Sequence, residues 1–584
     1  MWIGCKCRKG KKLNSNVIAV LCAAGFVLLF ALLILRENRK QKRNIERKVR
    51  RIYGNVPEQE YETGDIERIS HYFRRREKEG FTIDDITWND LDMDRVYMLV
   101  NQTVSSPGED VLYDMMRRPV FSEEELRRRD DLIEFFASHE KERVEMQLCL
   151  FRVGKTRLGS LSDTVLALKE APTIKTGVHV AMLIVILLTL FVVIPLAPLQ
   201  GMLVFLVLCI GNVSAYYAGK SHKITEIYMD CFSNLLGMLK TADEMKDISW
   251  KEVEPQMKAI REARKIFSSL RKKAVFVTGS GKGFDNFLDA FLDYVRMITH
   301  IDFLAYNSVL RETKDKADVI MSLIDNMGEL DAAISIASFR ELLPLKCKPE
   351  FVPYTGQEIE LNVEDLYHPL IQEPVANSIA AKGGTLVTGS NASGKSTFLK
   401  NMAINAILAQ TLYTCTTGFC RAPFLKVMTS MALRDDIGGG DSYFIVEIKS
   451  LKRILDESKK EEPLLCIIDE VLRGTNTIER IAASSRILSV LHKRWILPFA
   501  ATHDIELSYI LKDIYTNYHF EEEIEGNQVI FNYLLKEGMA TTRNAIRLLD
   551  MLGYEKEVVK EASQAAADFE RTGVWGKIKN KKGE

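Results

Sequence analysis

Residues 385–400 read TLVTGSNASGKSTFLK. Leu386, Val387 and Thr388 are apolar or β-branched and lead into Gly389-Ser390-Asn391-Ala392-Ser393-Gly394-Lys395-Ser396, with Thr397 next. This is the complete pattern G-x-x-x-x-G-K-[ST] in the order strand, glycine loop, helix, and it confines this part of the chain to an α/β fold. Glycine at both ends of the loop lets backbone wrap a polyphosphate without Cβ clashes. The loop N–H groups and the following helix N-terminus present positive potential to it. Lys395 reaches β- and γ-phosphates and Ser396 ligates Mg²⁺ in such a loop. Residues 389–397 are therefore the candidate binding set for ATP and Mg²⁺.

A second half of the same chemistry lies downstream. Leu464-Leu465-Cys466-Ile467-Ile468 is an apolar run without a period, as expected of a strand buried on both faces. It ends in Asp469-Glu470. Asp469 is placed to hold Mg²⁺, and Glu470 to polarise the attacking water as general base. Trp495 to Ala501 reads as another strand and ends in Thr502-His503-Asp504, which makes His503 a candidate sensor of the γ-phosphate. The candidate catalytic residues are Lys395, Glu470 and His503; the metal ligands are Ser396 and Asp469.

The rest of the chain sets the context. Its 584 residues exceed one ordinary domain, and 79 basic residues balance 79 acidic ones. The molecule as a whole is not an electrostatic partner for nucleic acid, so any such binding must come from local patches. Ten scattered cysteines show neither metal-ligand spacing nor a paired framework, which reads as reduced intracellular thiols, and no metal other than Mg²⁺ is expected. Val17–Leu35 is 19 uncharged residues, long enough to span a bilayer, and runs directly into Arg36-Glu37-Asn38-Arg39-Lys40. Nine basic residues follow it as far as Arg51 against five before it, which places the C-terminal side in the cytoplasm and the N-terminus outside. Val178–Leu196 and Met202–Tyr217 are two further apolar runs, separated by the uncharged turn Ala197-Pro198-Leu199-Gln200-Gly201. They read as a helical hairpin through the membrane, since two such runs without Lys, Arg, Asp or Glu are unusual in a soluble core. Three transmembrane helices and a multi-pass membrane protein in contact with lipid are the expectation.

Residues 66–170 and 224–343 read as helical and charged or amphipathic. Arg74-Arg75-Arg76 and Arg127-Arg128-Arg129 read as solvated helix faces. Val277-Thr278-Gly279-Ser280-Gly281-Lys282-Gly283 imitates a phosphate loop, but Phe276 stands where the first glycine belongs and Gly283 where Ser or Thr does. It reads as an ordinary loop. The organisation expected is a tail (1–16), a first span (17–35), a basic juxtamembrane linker (36–90), a helical core and lever in two parts (91–172 and 221–345) around the hairpin (173–220), an ATPase domain (346–565) and a basic tail (566–584).

The motifs, taken together, resemble the MutS family of DNA mismatch-repair ATPases, relatives of ABC-type nucleotide-binding domains. The loop is similar to that family's G-P-N-M-G-G-K-S-T, with Ser390, Ala392 and Ser393 in place of its Pro, Met and first Gly of the pair. Tyr367-His368-Pro369-Leu370 looks like its R-H-P segment and Val375-Ala376-Asn377-Ser378 like its V-P-N-D. Asp435-Asp436-Ile437 and Gly440-Asp441-Ser442-Tyr443-Phe444-Ile445-Val446-Glu447 resemble D-D-L…G-x-S-T-F-M-x-E, with Tyr443 in place of the Thr. Arg473-Gly474-Thr475-Asn476-Thr477 is similar to R-G-T-S-T, and Ala501-Thr502-His503 matches A-T-H. Upstream, Leu99-Val100-Asn101-Gln102-Thr103, Pro107-Gly108, Arg118-Pro119 and Glu329-Leu330-Asp331-Ala332-Ala333 resemble the family's helical core and lever.

The resemblance implies an ABC-type ATPase domain at the C-terminus after an all-α core and lever. It further implies a homodimer through the ATPase domains, in which Ser442 of one subunit caps the γ-phosphate bound by the other. Residues before Leu91 leave no room for the family's mismatch-reading domains, and no Phe-x-Glu reader occurs. Two functions follow as expectations: a membrane-anchored ATPase that couples hydrolysis to DNA binding or remodelling without direct mismatch reading, or an ATP-driven conformational protein acting on a membrane or protein partner without DNA.

Overall fold

A computed structural model describes residues 39–76, 80–156, 159–220, 223–270, 294–390, 393–431, 443–472, 475–525, 528–540 and 553–578, with 25, 36–37, 546 and 549–550 besides. The first predicted span, the imitation loop at 276–283, Asn391, Ala392, Ser442, Arg473 and Gly474 lie outside the described residues. The chain divides into two compact units, one of Met1–Tyr53, Thr103–Val111 and Phe136–Ile334, the other of Gly54–Gln102, Leu112–Phe135 and Ser335–Glu584.

The first unit is helical. Among the described residues, two helices are long and apolar enough to cross a membrane: Gly177–Leu196 and Pro198–Ala218. The expected turn is shorter than its residues suggested. Only Ala197 separates the helices, because Pro198 has the φ and the missing donor that suit a helix start. A Cβ on Gly201 would lie 2.8 Å from the Ile194 Cα, so the close pass of the two helices needs glycine there. Both helices turn apolar side chains outward; Phe191, Leu199 and Val207 are 70%, 77% and 67% exposed. In water that surface is a standing cost of roughly 25 cal/mol per Å².

The polar atoms of the hairpin gather at its base. His300 Nε2 donates to the Asn212 carbonyl (2.9 Å), which leaves His300 Nδ1 to accept from His179 Nδ1–H (2.7 Å). The Tyr216 hydroxyl donates to Asp302 (2.6 Å), and the Asn212 amide to the Ile298 carbonyl (2.8 Å). These bonds tie both hairpin helices to the start of helix Ile301–Thr313.

Asp331, in the segment that resembles the end of a lever, is fully buried and holds the loop before Ser106. It accepts from the N–H groups of Val104 (3.1 Å) and Ser105 (2.9 Å) and from the Ser105 hydroxyl (2.5 Å). Burial outweighs these bonds and pushes its carboxyl up to about 6 from the ordinary 3.8. An acid raised on folding keeps its proton longer in the native state. Its contribution to stability is full below the unfolded value and is lost as pH rises through about 6. We expect the wild type to lose stability relative to Asp331→Asn between pH 4 and 6 and to run parallel with it above, in thermal unfolding across pH. A constant difference over that window would contradict this account.

The second unit holds two sheets. The larger has strand order 528–537, 515–525, 384–388, 496–502, 464–469, 426–430; all neighbours are parallel except the first pair. Strands Gly384–Thr388, Leu464–Asp469 and Ile496–Thr502 are buried at every position, which explains their lack of period. Leu386, Leu464, Cys466, Ile468, Leu488 and Ile496 form the core between this sheet and its helices. A smaller sheet runs in the order 350–351, 419–422, 360–366, 377–382.

Residues 65–100, within the stretch read as a linker and its sequel, fold into helices Asp65–Arg75, Asp85–Asp90 and Met93–Val100 of this unit. Buried Asp90 accepts from the Thr429 hydroxyl (2.6 Å) and the Met431 N–H (3.0 Å), which pins the end of strand Lys426–Ser430. Burial raises its carboxyl above the usual range. Of the basic triplet at 127–129, Arg127 and Arg128 are solvated and pair with Glu123 and Glu124, as expected. Arg129 departs from that reading: it turns inward and donates to the Thr411 carbonyl, because the C-terminal end of helix Lys395–Leu412 leaves that oxygen without a helical donor.

Candidate functional site

The site forms at the C-terminal ends of three adjacent parallel strands. Thr388 pairs with Thr502 and Asp469 with Ala501, so the residues just beyond each strand meet: Gly389, Glu470 and His503. The central strand delivers His503 between the other two. Its Nδ1 donates to the Gly389 carbonyl (3.0 Å), and its Nε2 meets a Glu470 carboxylate oxygen. The ring is thus held between an oxygen of the loop and one of the acid. Arg480 clamps the next residue, Asp504, through two bonds of 2.8 and 2.6 Å, which fixes the turn that carries His503.

The loop geometry matches its sequence. Gly389 has φ +145, and a Cβ there would lie 2.8 Å from the Phe520 carbonyl oxygen. Gly394, at φ +106, precedes helix Lys395–Leu412, whose N-terminus has no side-chain cap. Lys395 is 5% exposed and its Nζ donates back to the carbonyls of Gly389 (2.9 Å) and Ser390 (2.7 Å). The buried Ser393 hydroxyl has no hydrogen-bond partner among the described residues. Ser396 and Thr397 lie in the first helical turn, and the Ser390 hydroxyl donates to Glu522 (2.5 Å). Asp469 is 6% exposed at the end of its strand. Glu470 follows at φ 55, a conformation that costs a non-glycine residue about 1–3 kcal/mol and turns its side chain toward the loop.

A cleft of 580 Å³ opens over the loop, lined by Ser393–Phe398, Glu470, His368, Phe520 and Tyr533 among others. Uncapped amides, a buried ammonium and a partly buried carboxylate around one cleft fit a polyphosphate with a divalent cation. Lys395, Ser396, Asp469, Glu470 and His503 are thus brought together. The roles expected of Asn391, Ala392 and Ser442 fall on residues outside the description.

Two contributors, Phe520 and Tyr533, were not legible in sequence, and the contacts of three motif residues, Asn377, Glu447 and His368, were not either. Phe520 and Tyr533 come from the hairpin Tyr515–Glu525 and Gln528–Glu537, which carries no motif. Asn377 holds the bulge of that hairpin: its amide donates to the Tyr533 carbonyl (3.0 Å) and its oxygen accepts from the Leu535 N–H (2.7 Å). Tyr533, at φ 54, is thereby held over Gly394. Glu447 accepts the N–H of Leu472 and so braces the turn after Glu470. His368 is largely buried in the cleft; burial, aided by Lys400, lowers it to about 4 and keeps it neutral.

Comparison with known proteins finds relatives over the same part of the chain. The chain is 28% identical over 273 residues to the DNA mismatch repair protein MutS of Thermotoga maritima (44% of this chain, 33% of that protein). It is 32% identical over 200 residues to MutS of Thermus thermophilus (33% and 24%) and 28% identical over 296 residues to MutS of Leptospira interrogans (48% and 34%). The chain spans between a quarter and a third of the length of these relatives. Residues 385–570, which hold every described residue of the candidate set, match the family model described as MutS domain V.

Proposed function

We propose that this protein is a membrane-anchored ATPase of MutS type that hydrolyses ATP at the interface of a homodimer and couples it to DNA binding or remodelling, without direct mismatch reading. The convergence of Gly389, Glu470 and His503 at three neighbouring strand ends carries the reading. Bound ATP·Mg²⁺ supplies the phosphoanhydride and the charge neutralisation. The chain supplies the rest. Lys395 leaves the Gly389 and Ser390 carbonyls for the phosphates, Ser396 and Asp469 would hold Mg²⁺, and loop amides of residues 389–397 cradle the chain of phosphates. Glu470 takes the proton of the attacking water. His503, which joins the loop to Glu470, reports occupancy of the loop to the base. Ser442 of the partner subunit would close the site.

The outward apolar faces of Gly177–Leu196 and Pro198–Ala218 support insertion of the hairpin in a bilayer, with the span at 17–35 as a further anchor and the ATPase in the cytoplasm. The same faces favour a second reading, in which ATP drives a change felt by the membrane or a protein partner and no DNA is bound.

The deciding experiment is steady-state hydrolysis by the full chain in nanodiscs, without DNA and with matched, mismatched and branched duplexes, at several salt concentrations. We expect Lys395→Ala to abolish turnover by loss of nucleotide binding. Stimulation by DNA that falls steeply with salt supports the first reading, because phosphate contacts release counterions. Turnover that needs Lys395 but ignores every DNA sinks it in favour of the second.

A further inference from the structure

The fold brings together three thiols that lie far apart in the chain. Cys347 follows the helix that ends at Leu342, Cys415 follows the helix that ends at Leu412, and Cys420 lies on strand Phe419–Ala422. Cys347 and Cys415 face each other across an isolated antiparallel bridge. The Cys347 N–H donates to the Cys415 carbonyl (3.2 Å) and the Cys415 N–H to the Cys347 carbonyl (2.9 Å). A pair that exchanges both main-chain bonds has Cα atoms about 5.5 Å apart. A disulfide spans Cα separations of roughly 4.4–6.8 Å, a range that includes the spacing of such a pair.

The side chains add direction to the pair. The Cys415 thiol has those of Cys347 and Cys420 as neighbours. Cys347 is partly exposed, whereas Cys415 and Cys420 are buried. The hydrogen bond from Cys415 lowers the Cys347 thiol below its ordinary range, against burial. The bonds to Cys347 and Cys420, with burial, push Cys415 up. Cys347 is therefore the accessible, thiolate-prone member and Cys415 the protonated partner behind it.

We propose that Cys347 and Cys415 are a redox modification site that closes to an intramolecular disulfide when the protein meets a peroxide. The Cys347 thiolate attacks one oxygen of hydrogen peroxide; an S–O bond forms, the O–O bond breaks, and the departing hydroxide takes up the proton that the Cys347 thiol released and leaves as water. The Cys415 sulfur then attacks the sulfenic sulfur, an S–S bond forms, the S–O bond breaks, and the second water leaves with the thiol proton. Two thiols give up two electrons and one peroxide becomes two waters. The link joins the segment after Leu342 covalently to the end of the helix that begins at Lys395. Dithiothreitol reverses it.

The site is mapped on the full chain in detergent, treated with hydrogen peroxide, blocked with iodoacetamide and digested without reductant. This readout involves no nucleotide, so its failure and failure of the ATPase reading are separate. We expect a Cys347–Cys415 peptide pair two hydrogens lighter than its reduced components, lost on reduction, present in Cys420→Ser and absent in Cys347→Ser. Oxidation should also raise the thermal midpoint of the wild type and leave that of Cys347→Ser unchanged. Recovery of Cys347 only as alkylated thiol or as sulfinic or sulfonic acid would overturn the proposal. A link only between Cys415 and Cys420 would do the same, and wild-type mapping alone decides should a variant misfold.

Discussion

Glu470→Gln will lower ATP turnover by about 10²–10⁴-fold, the span a positioned general base contributes, and leave ATP affinity nearly unchanged. The side chain follows Asp469 at the end of a buried strand and faces the loop through the contact with His503. Glutamine keeps its length and can still accept a hydrogen bond from that ring, but it cannot take a proton. On the proposed reading, binding rests on other groups, the loop amides and Lys395. The check is single-turnover hydrolysis of labelled ATP beside equilibrium binding of the same nucleotide. Turnover within a few-fold of the wild type would mean that another residue activates the water. A parallel loss of binding would mean that the Glu470–His503 contact holds the loop open rather than serving the chemical step.

Arg340→Ala is the largest expected effect on stability away from the cleft. Arg340 is 5% exposed and makes five hydrogen bonds. Its guanidinium donates to Asp130 (2.7 Å), Glu134 (2.8 Å), the Thr414 hydroxyl (2.8 Å) and the carbonyls of Leu412 and Tyr413 (both 3.1 Å). Those two carbonyls belong to the end of the helix that starts at Lys395, where no further helical N–H is available. Alanine strands them together with one oxygen of Asp130, while Lys348 stays bonded to the other at 2.7 Å. Removing one partner of a buried ion cluster costs about 3–5 kcal/mol. In a unit of this size that is a fall in thermal midpoint of about 5 °C or more. Arg340→Lys should recover only part of it, since one ammonium cannot match five directed donors. An unchanged midpoint for Arg340→Ala would show that solvent replaces the guanidinium at no cost.

The two halves of the molecule were legible to different degrees. The loop from Gly389 to Ser396, the acids at 469–470 and His503 stand at strand ends as their local patterns required. Each is announced by its own neighbours: glycines where the backbone turns, a run without period where both faces are buried. The hairpin at 177–218 was legible for the same local reason, since unbroken apolarity over that length has few outcomes. Its turn is one residue rather than the five uncharged residues from Ala197 to Gly201. Proline is in fact favoured in the first helical turn, and glycine there permits the close crossing. Arg129 looked identical to Arg127 and Arg128, and only the open carbonyl of Thr411 separates their fates.

The chemistry proposed for the site was thus legible in sequence alone, because a phosphate-loop pattern is a property of consecutive residues. So was the presence of apolar helices, because burial or membrane insertion of such a run follows from composition. What only the tertiary structure decided is everything that depends on which strand lies beside which. The strand order 384–388, 496–502, 464–469 places His503 between Gly389 and Glu470. The hairpin 515–537 supplies Phe520 and Tyr533, and Asn377 locks the latter in place. Asp331 reaches a loop more than 200 residues away, Arg340 binds the end of the helix behind the loop, and Cys347 meets Cys415. Hydrogen bonds and thiol pairs act over a few ångströms, and nothing in the spacing of residues along a chain states which distant segments will come that close.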